Sequence, residues 1–404
     1  MTTASILPAA SHARSMAADP CMRTRHWLPS ALRYEYSMLL HRYLECIIER
    51  QAWMASEGCA VVYMPILKGR EGELKAIDHL PEVLAARVMP VFEVPPTRGD
   101  PIKDAHSFAE RARNVIPRGM SVAVDARYLE DPDGAWRGPL RAIADDFADW
   151  GVPIRPVLHL SDSARRLTEA RQAAELHDGR AVIRLGGDIS DPDEDEAEAS
   201  LAKLCRRAGA TIEKSVLILD FFDVRSERDI GRIEALARKC LVWARRYPWE
   251  AITVVSGAMP ESIGDIPYNI ATPVPRRDLA LWRRLREPDI VFGDYGIAHP
   301  KMNVKGWPPP PNLRYTDKDV WWIYRWARDG NGYGSMYDLC ASLVAADHWP
   351  AEGPSYSWGD AEIAQRAAMV GGPGNAAGWR AWGTAHHLTH VLRMLEDSPD
   401  ELGG

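Results

Sequence analysis

The chain runs to 404 residues, 46% of them hydrophobic and 26% charged, with a formal net charge of −7 and a pI near 6.0. That length suits one large domain with an appendage or two ordinary domains, and the composition excludes wholesale disorder. The acidic balance disfavours a nucleic-acid groove across the whole surface, and no apolar run reaches the roughly 18–20 residues that span a bilayer.

Six cysteines (Cys21, Cys46, Cys59, Cys205, Cys240, Cys340) are scattered without a CxxC pair. The spacing is poor for zinc and too sparse for a disulfide framework, so reduced thiols in a cytoplasmic protein are expected. Residues 1–57 are rich in Ala, Ser, Arg and Met and lack a secretory apolar core. They read as a poorly ordered extension ahead of a start at Met54, or as a helix from Arg33 to Trp53 with Tyr36, Leu40, Tyr43, Leu44 and Ile47 on its apolar side.

From Ala60 onward, short apolar runs alternate with amphipathic stretches. The runs are 60-AVVYMPILK-68, 88-VMPVFEV-94, 121-SVAVDA-126, 153-PIRPVLHL-160, 181-AVIRL-185, 215-SVLILDFFD-223, 251-AITVVS-256 and 289-DIVFGDYG-296. Strands apolar on both faces are buried on both, as parallel strands under helices are. Eight units at a spacing of about 30 residues predict an α/β fold, a (β/α)8 TIM-type barrel over 58–300. The alternative is an open doubly wound sheet, which would want a glycine-rich turn after its first strand; 69-GREGE-73 is not that fingerprint.

Residues 301–404 form a tryptophan-rich C-terminal segment, expected to pack on the barrel or to lid its mouth. The segment opens on 307-WPPPP-311, a stiff connector. A helix is predicted over 317-DKDVWWIYRWARDG-330, capped by Asp317 and Asp319, and a last one over 379–395.

In barrels of this kind the active site lies at the C-terminal ends of the strands. Those ends carry Lys68, Glu93, Asp125, His159, Arg184, Asp220 with Asp223, Ser256, and Asp294 with Tyr295. The carboxylates Glu93, Asp125, Asp220 and Asp294 can act as general acid and base, and Glu93, Asp220 and Asp294 can hold Mg²⁺ or Mn²⁺. Lys68 and Arg184 can grip a phosphate or carboxylate. The competing reading is an internal ion-pair network in which the two cations neutralise the carboxylates.

Weaker signals surround this ring. His386 and His390 share a helix face but lack the glutamate of HExxH, so a core or surface pair is the better reading. Gly186 and Gly187 can let a backbone approach a phosphate. The run 191-DPDEDEAEA-199 reads as a solvated helix start, not a calcium loop.

The stretches 63-YMPILKGREGELKAI-77, 88-VMPVFEV-94, 292-FGDYG-296, 313-LRYT-316, 355-SYSWGD-360 and the closing 379-W…HHLTHV-391 resemble, in order, the beta protein family of bacteria and bacteriophages. The likeness covers about residues 61–395 and implies a prophage or mobile-element setting without bringing an activity. Its words fall on Lys68, Glu73, Glu93, Asp294, Tyr295, Arg314, Tyr315, Asp360 and His387.

Three functions remain open. The first is a metal-assisted hydrolase or lyase on a small anionic molecule. Its catalytic set is Glu93, Asp125, Asp220, Asp294, Tyr295 and His387, and its binding set is Lys68, Arg184, Ser256, Arg314 and Tyr315. The second is a non-catalytic binder of a protein partner in phage–host conflict, with the tryptophan-rich tail as contact surface. The third, a nuclease, is disfavoured by the acidic balance.

Overall fold

The computed structural model describes residues 61–397 apart from 98, 118, 133–135, 187–194, 304–307 and 331, and apart from the side chains of 195–197 and 397. The extension 1–57, Gly187 and most of the acidic run lie outside the described residues.

Seven strands follow in chain order, each succeeded by a helix. They are β1 (Ile66–Leu67), β2 (Val91–Glu93), β3 (Val122–Asp125), β4 (Ile154–Leu158), β5 (Ala181–Gly186), β6 (Ser215–Asp223) and β7 (Ala251–Gly257). The helices are α1 (Glu71–Asp78), α2 (Pro101–Arg113), α3 (Pro139–Asp149), α4 (Ala164–Leu176), α5 (Asp195–Ala208), α6 (Glu227–Ala244) and α7 (Arg277–Leu285). Between β7 and α7 a short strand, β8 (Thr272–Pro275), leaves for a second sheet, and β9 (Ile290–Gly293) is the eighth barrel strand. All eight pair in parallel in the order β1-β2-β3-β4-β5-β6-β7-β9. Tyr63 closes the ring by bridging Val88 on one side and Phe292 on the other; the Met64 and Ile66 amides donate to Phe292 O at 2.9 Å and Asp294 O at 2.7 Å. The chain is a (β/α)8 barrel.

The two-sided apolarity of the strands divides into two cores. Met64, Ile66, Val91, Val157, Val182 and Ile218 point inward and fill the barrel. Their neighbours, such as Leu67, Phe92, Ile183 and Leu217, point outward to the helices. Fully burying each such side chain contributes about 1.5–3 kcal/mol, so the alternation fixes which face every strand residue takes. The base of the interior is plugged by Arg155, whose guanidinium donates to both oxygens of Glu250 at 2.8 and 2.9 Å.

After β9 the chain runs through β10 (Asn312–Thr316), β11 (Val320–Arg325), α8 (Met336–Val344), α9 (Trp358–Ala367) and α10 (Ala376–Asp397). Here the sequence reading needs correction. The helix expected over 317–330 is β11, central in an antiparallel sheet of order β10-β11-β8. Its run Val320-Trp321-Trp322-Ile323-Tyr324 consists of β-branched and aromatic residues, which favour a strand over a helix. Asp317 is a turn residue, its amide paired with Val320 O. β8 is the edge strand, where Pro273 and Pro275 cost no ladder bond.

The C-terminal segment has its own core, in which Leu313, Tyr324, Met336, Leu343, Trp379 and Trp382 pack together. Its last helix does a second task. Ala385, Leu388, Val391 and Leu392 of α10 belong to the outer barrel core with Tyr63 and Phe292. α10 also packs closely on α1: a Cβ at Gly72 would lie 2.6 Å from Ala377 O. It thus fills the eighth helix position, over the seam between β9 and β1. No described helix is long and apolar enough to cross a membrane.

Candidate active site at the barrel mouth

The inward face at the C-terminal end of the strands carries seven polar side chains: Lys68, Glu93, Asp125, His159, Arg184, Asp220 and Tyr295, none more than 3% exposed. Arg184 is their centre. It donates to Asp220 Oδ2 from Nε (2.9 Å) and Nη2 (2.7 Å), to Glu93 Oε1 (2.8 Å) and Asp125 Oδ2 (2.9 Å) from Nη1, and to the Tyr295 hydroxyl (2.8 Å). Tyr295 in turn donates to Asp220 Oδ2 at 2.6 Å. Lys68 pairs with Glu93 Oε2 at 2.5 Å and donates to Pro300 O from the loop above. His159 donates from Nε2 to Asp125 Oδ2 at 2.9 Å.

Burial works against charge on Asp125, yet His159 and Arg184 outweigh it and hold the carboxyl well below its usual range. Burial also pulls the Lys68 ammonium down, with Glu93 opposing. The Tyr295 hydroxyl is pushed up by burial and so remains a donor. Glycine at position 186 makes the ring possible: at φ +100 its Cα sits so close to β6 that a Cβ would fall 2.0 Å from Asp220 O.

The structure does not bring every sequence candidate here. Asp294 is one residue from Tyr295, so the pleat turns it outward, into the layer under α10. There the Tyr63 hydroxyl donates to its Oδ1 at 2.6 Å, and His387 Nε2 donates to its Oδ2 at 2.9 Å. His387 Nδ1 meets the Thr316 hydroxyl at 2.8 Å. Burial lowers the His387 imidazole, with Asp294 opposing. Ser256 lies beyond Ile252 and Val254 on the same outward side of β7. Tyr315 donates to Asp360 Oδ1 at 2.7 Å inside the C-terminal segment, where His386 and Ser357 bind the same carboxylate. Arg314 donates to Ile297 O at 2.7 Å, beside the loop that follows β9.

The proposed metal ligands are therefore not gathered. Glu93 and Asp220 flank one guanidinium, and Asp294 stands behind the strand on His387. Among the described residues no three His, Cys, Asp or Glu side chains stand together as a metal site. As arranged, these residues do not fit Mg²⁺ or Mn²⁺, which want several oxygens turned to one point.

What the sequence reading passed over is an opening beside the ring. A cavity of about 310 Å³ lies between the loops after β3 and β4, lined by Arg127, Asp131, His159, Ser161, Asp162, Ser163 and Arg166. His159 belongs to both ring and cavity. With Nε2 given to Asp125, its Nδ1 has no hydrogen-bond partner among the described residues. The His159 amide donates to Asp162 Oδ2 at 2.8 Å, and burial pushes the Asp162 carboxyl up. Arg166 donates to Leu129 O and Asp131, and Ser163 caps α4 at the cavity wall. Arg127 and Arg166 stand just past strand ends 3 and 4, and that position was the only signal of them in the sequence.

No curated protein matches the chain. Among solved structures, a type I 3-dehydroquinate dehydratase from Clostridium difficile with covalently modified comenic acid aligns at TM-score 0.37 and 11% identity, over 60% of this chain and 88% of that one. So distant a likeness does not bear on activity. The beta protein family model matches residues 63–393, which takes in the barrel, the ring at its mouth and the closing helix, and the chain belongs to that family.

Proposed function

We propose that the barrel mouth is the active site of an enzyme that moves a proton on a small anionic substrate. One observation carries the reading: a buried Asp125–His159 pair at the wall of a polar cavity, with Nδ1 of the histidine unpartnered among the described residues. An ionised Asp125 accepts the hydrogen bond from Nε2–H and fixes the tautomer, which leaves the Nδ1 lone pair as the base. Arg184 keeps Asp125 charged. Arg127 and Arg166 supply positive charge for a phosphate or carboxylate. Asp162, pushed up where Asp125 is pulled down, is a second carboxyl on the same wall. A proton-transfer lyase or isomerase suits these groups, and no step needs a metal.

The test incubates the full chain with a panel of small phosphorylated and carboxylated compounds in D₂O and follows deuterium incorporation or product by NMR. His159→Gln should lower turnover about 10²–10⁴-fold, while Arg166→Gln should mainly weaken binding. Turnover within tenfold of wild type in His159→Gln would sink the reading. Tight binding without turnover of any compound would favour the non-catalytic binder.

A further inference from the structure

Three guanidinium groups from separate parts of the chain lie around one buried carboxylate, Glu73, where α1, β10 and α10 come together, Arg380 nearest to it and Arg70 and Arg314 within reach of its charge. Arg70, just after β1, donates to Asn303 O. Arg314, on β10, donates from Nη1 to Ile297 O at 2.7 Å. Arg380, on α10, has its Nε 3.9 Å from Glu73 Oε1. Close backbone packing draws them in: a Cβ at Gly72 would lie 3.0 Å from Arg380 Cβ, and one at Gly383 would lie 2.8 Å from Arg314 O.

Glu73 is 2% exposed and its Oε2 accepts no hydrogen bond from the described residues. Among the described residues neither Arg70 nor Arg314 has a carboxylate within 4.0 Å, and Arg380 has only Glu73. Three positive charges against one negative leave an excess of two. Burial brings the Arg314 guanidinium down to about 10, with Arg380 and Arg70 adding to the effect. Like charges held this close are relieved by an anion, and a buried acceptor without a donor costs about 1–3 kcal/mol.

We propose that Arg70, Arg314 and Arg380 bind the phosphate of a small phosphomonoester, and that a hydroxyl beside this phosphate donates to Glu73 Oε2. A phosphomonoester carries close to two negative charges near neutral pH, which balances the excess, and its oxygens match the guanidinium fork. The site shares no lining residue with the His159 cavity and stands whether or not His159 is catalytic.

Isothermal titration of the full chain with glycerol 3-phosphate and with inorganic phosphate tests it. Both should bind, glycerol 3-phosphate the more tightly, and Arg380→Gln and Arg314→Gln should each raise Kd at least tenfold. The Arg380 side chain is 33% exposed, so its variant should keep the fold. Glu73→Gln should narrow the gap between the two ligands. No binding at millimolar ligand, or Kd values within twofold of wild type in both arginine variants, would overturn the proposal. Loss of phosphate binding in Arg166→Gln, with Arg380→Gln and Arg314→Gln unaffected, would also overturn it, by placing the anion in the other cavity.

Discussion

Replacing Arg184 by Met should be among the most damaging single changes in the barrel, and its cost should depend on pH in a defined direction. The guanidinium makes five hydrogen bonds to three carboxylates and a phenol. Charge-assisted bonds at about 1.5–3 kcal/mol each would sum to well over any measured single-site loss. The orphaned carboxylates limit the cost, because they can take up protons. Breaking a buried pair costs about 3–5 kcal/mol, and the upper end applies where Lys68, His159 and the more distant Arg127 remain to oppose Glu93, Asp125 and Asp220. For the unit Cys59–Gly404, a melting entropy of about 2.1 cal/mol/K per residue makes each kcal/mol worth about 1.4 °C, so Tm should fall by about 6–7 °C. Without the guanidinium the ring carboxylates hold protons more tightly folded than unfolded, so the folded variant binds more protons and its deficit should shrink as pH falls from 8 to 5. Urea denaturation of both proteins across that range reads the difference. A loss under about 1 kcal/mol, or a deficit that grows in acid, would refute the claim that Arg184 neutralises a shared buried cluster.

Asp278 is buried, and burial pushes its carboxyl up to about 7. The folded state therefore holds a proton that the unfolded chain releases near 3.9, and stability attributable to this group is present in acid and lost as pH rises toward 7. Asp278→Asn should flatten that slope, by a few kcal/mol at most, in denaturation midpoints taken at pH 5 and pH 8. Gly186→Ala should cost about 2–4 kcal/mol, since it adds a methyl against the β6 backbone at a φ that alanine rarely adopts; a thermal melt unchanged from wild type would contradict the close β5–β6 approach. Asp360→Ala should destabilise by about 3 kcal/mol, because Tyr315, Ser357 and His386 all lose one buried acceptor. Tryptophan fluorescence of the C-terminal segment should then lose its folded signature before the barrel melts.

The barrel was legible because its strands are apolar on both faces, a pattern few other arrangements tolerate. The ring was legible for a related reason, since ionisable groups at strand ends interrupt otherwise apolar runs. What escaped was parity. Asp294 and Tyr295 are adjacent, and only the inward position of Val291 and the outward position of Phe292 decide that the tyrosine enters the ring and the aspartate does not. β11 escaped because two aspartates before an aromatic run mimic a helix cap, while its pairing with β10 and β8 is invisible locally. The His159 cavity escaped because Arg127 sits in a loop, where no periodicity marks a residue as facing anything, and Arg166 stands in the first turn of α4, beyond the strand ends.

The eighth outer helix has a consequence for how the chain is made. Tyr63 and His387 meet at 3.1 Å across 324 positions of sequence, and α10 begins only after β10, β11, α8 and α9 have been synthesised. Synthesis from the end of β9 to the start of α10 adds about 80 residues, roughly 4–16 s at 5–20 residues per second. Throughout that interval all eight barrel strands exist while the apolar seam along Tyr63 and Phe292 has no helix to cover it. Contacts of such long range form late and slowly. A nascent chain of this protein therefore presents a nearly complete sheet with one sticky edge, and any product cut short before α10 keeps that edge exposed. Holdase chaperones and proteases that read exposed apolar strands are the factors that will govern its yield in a cell.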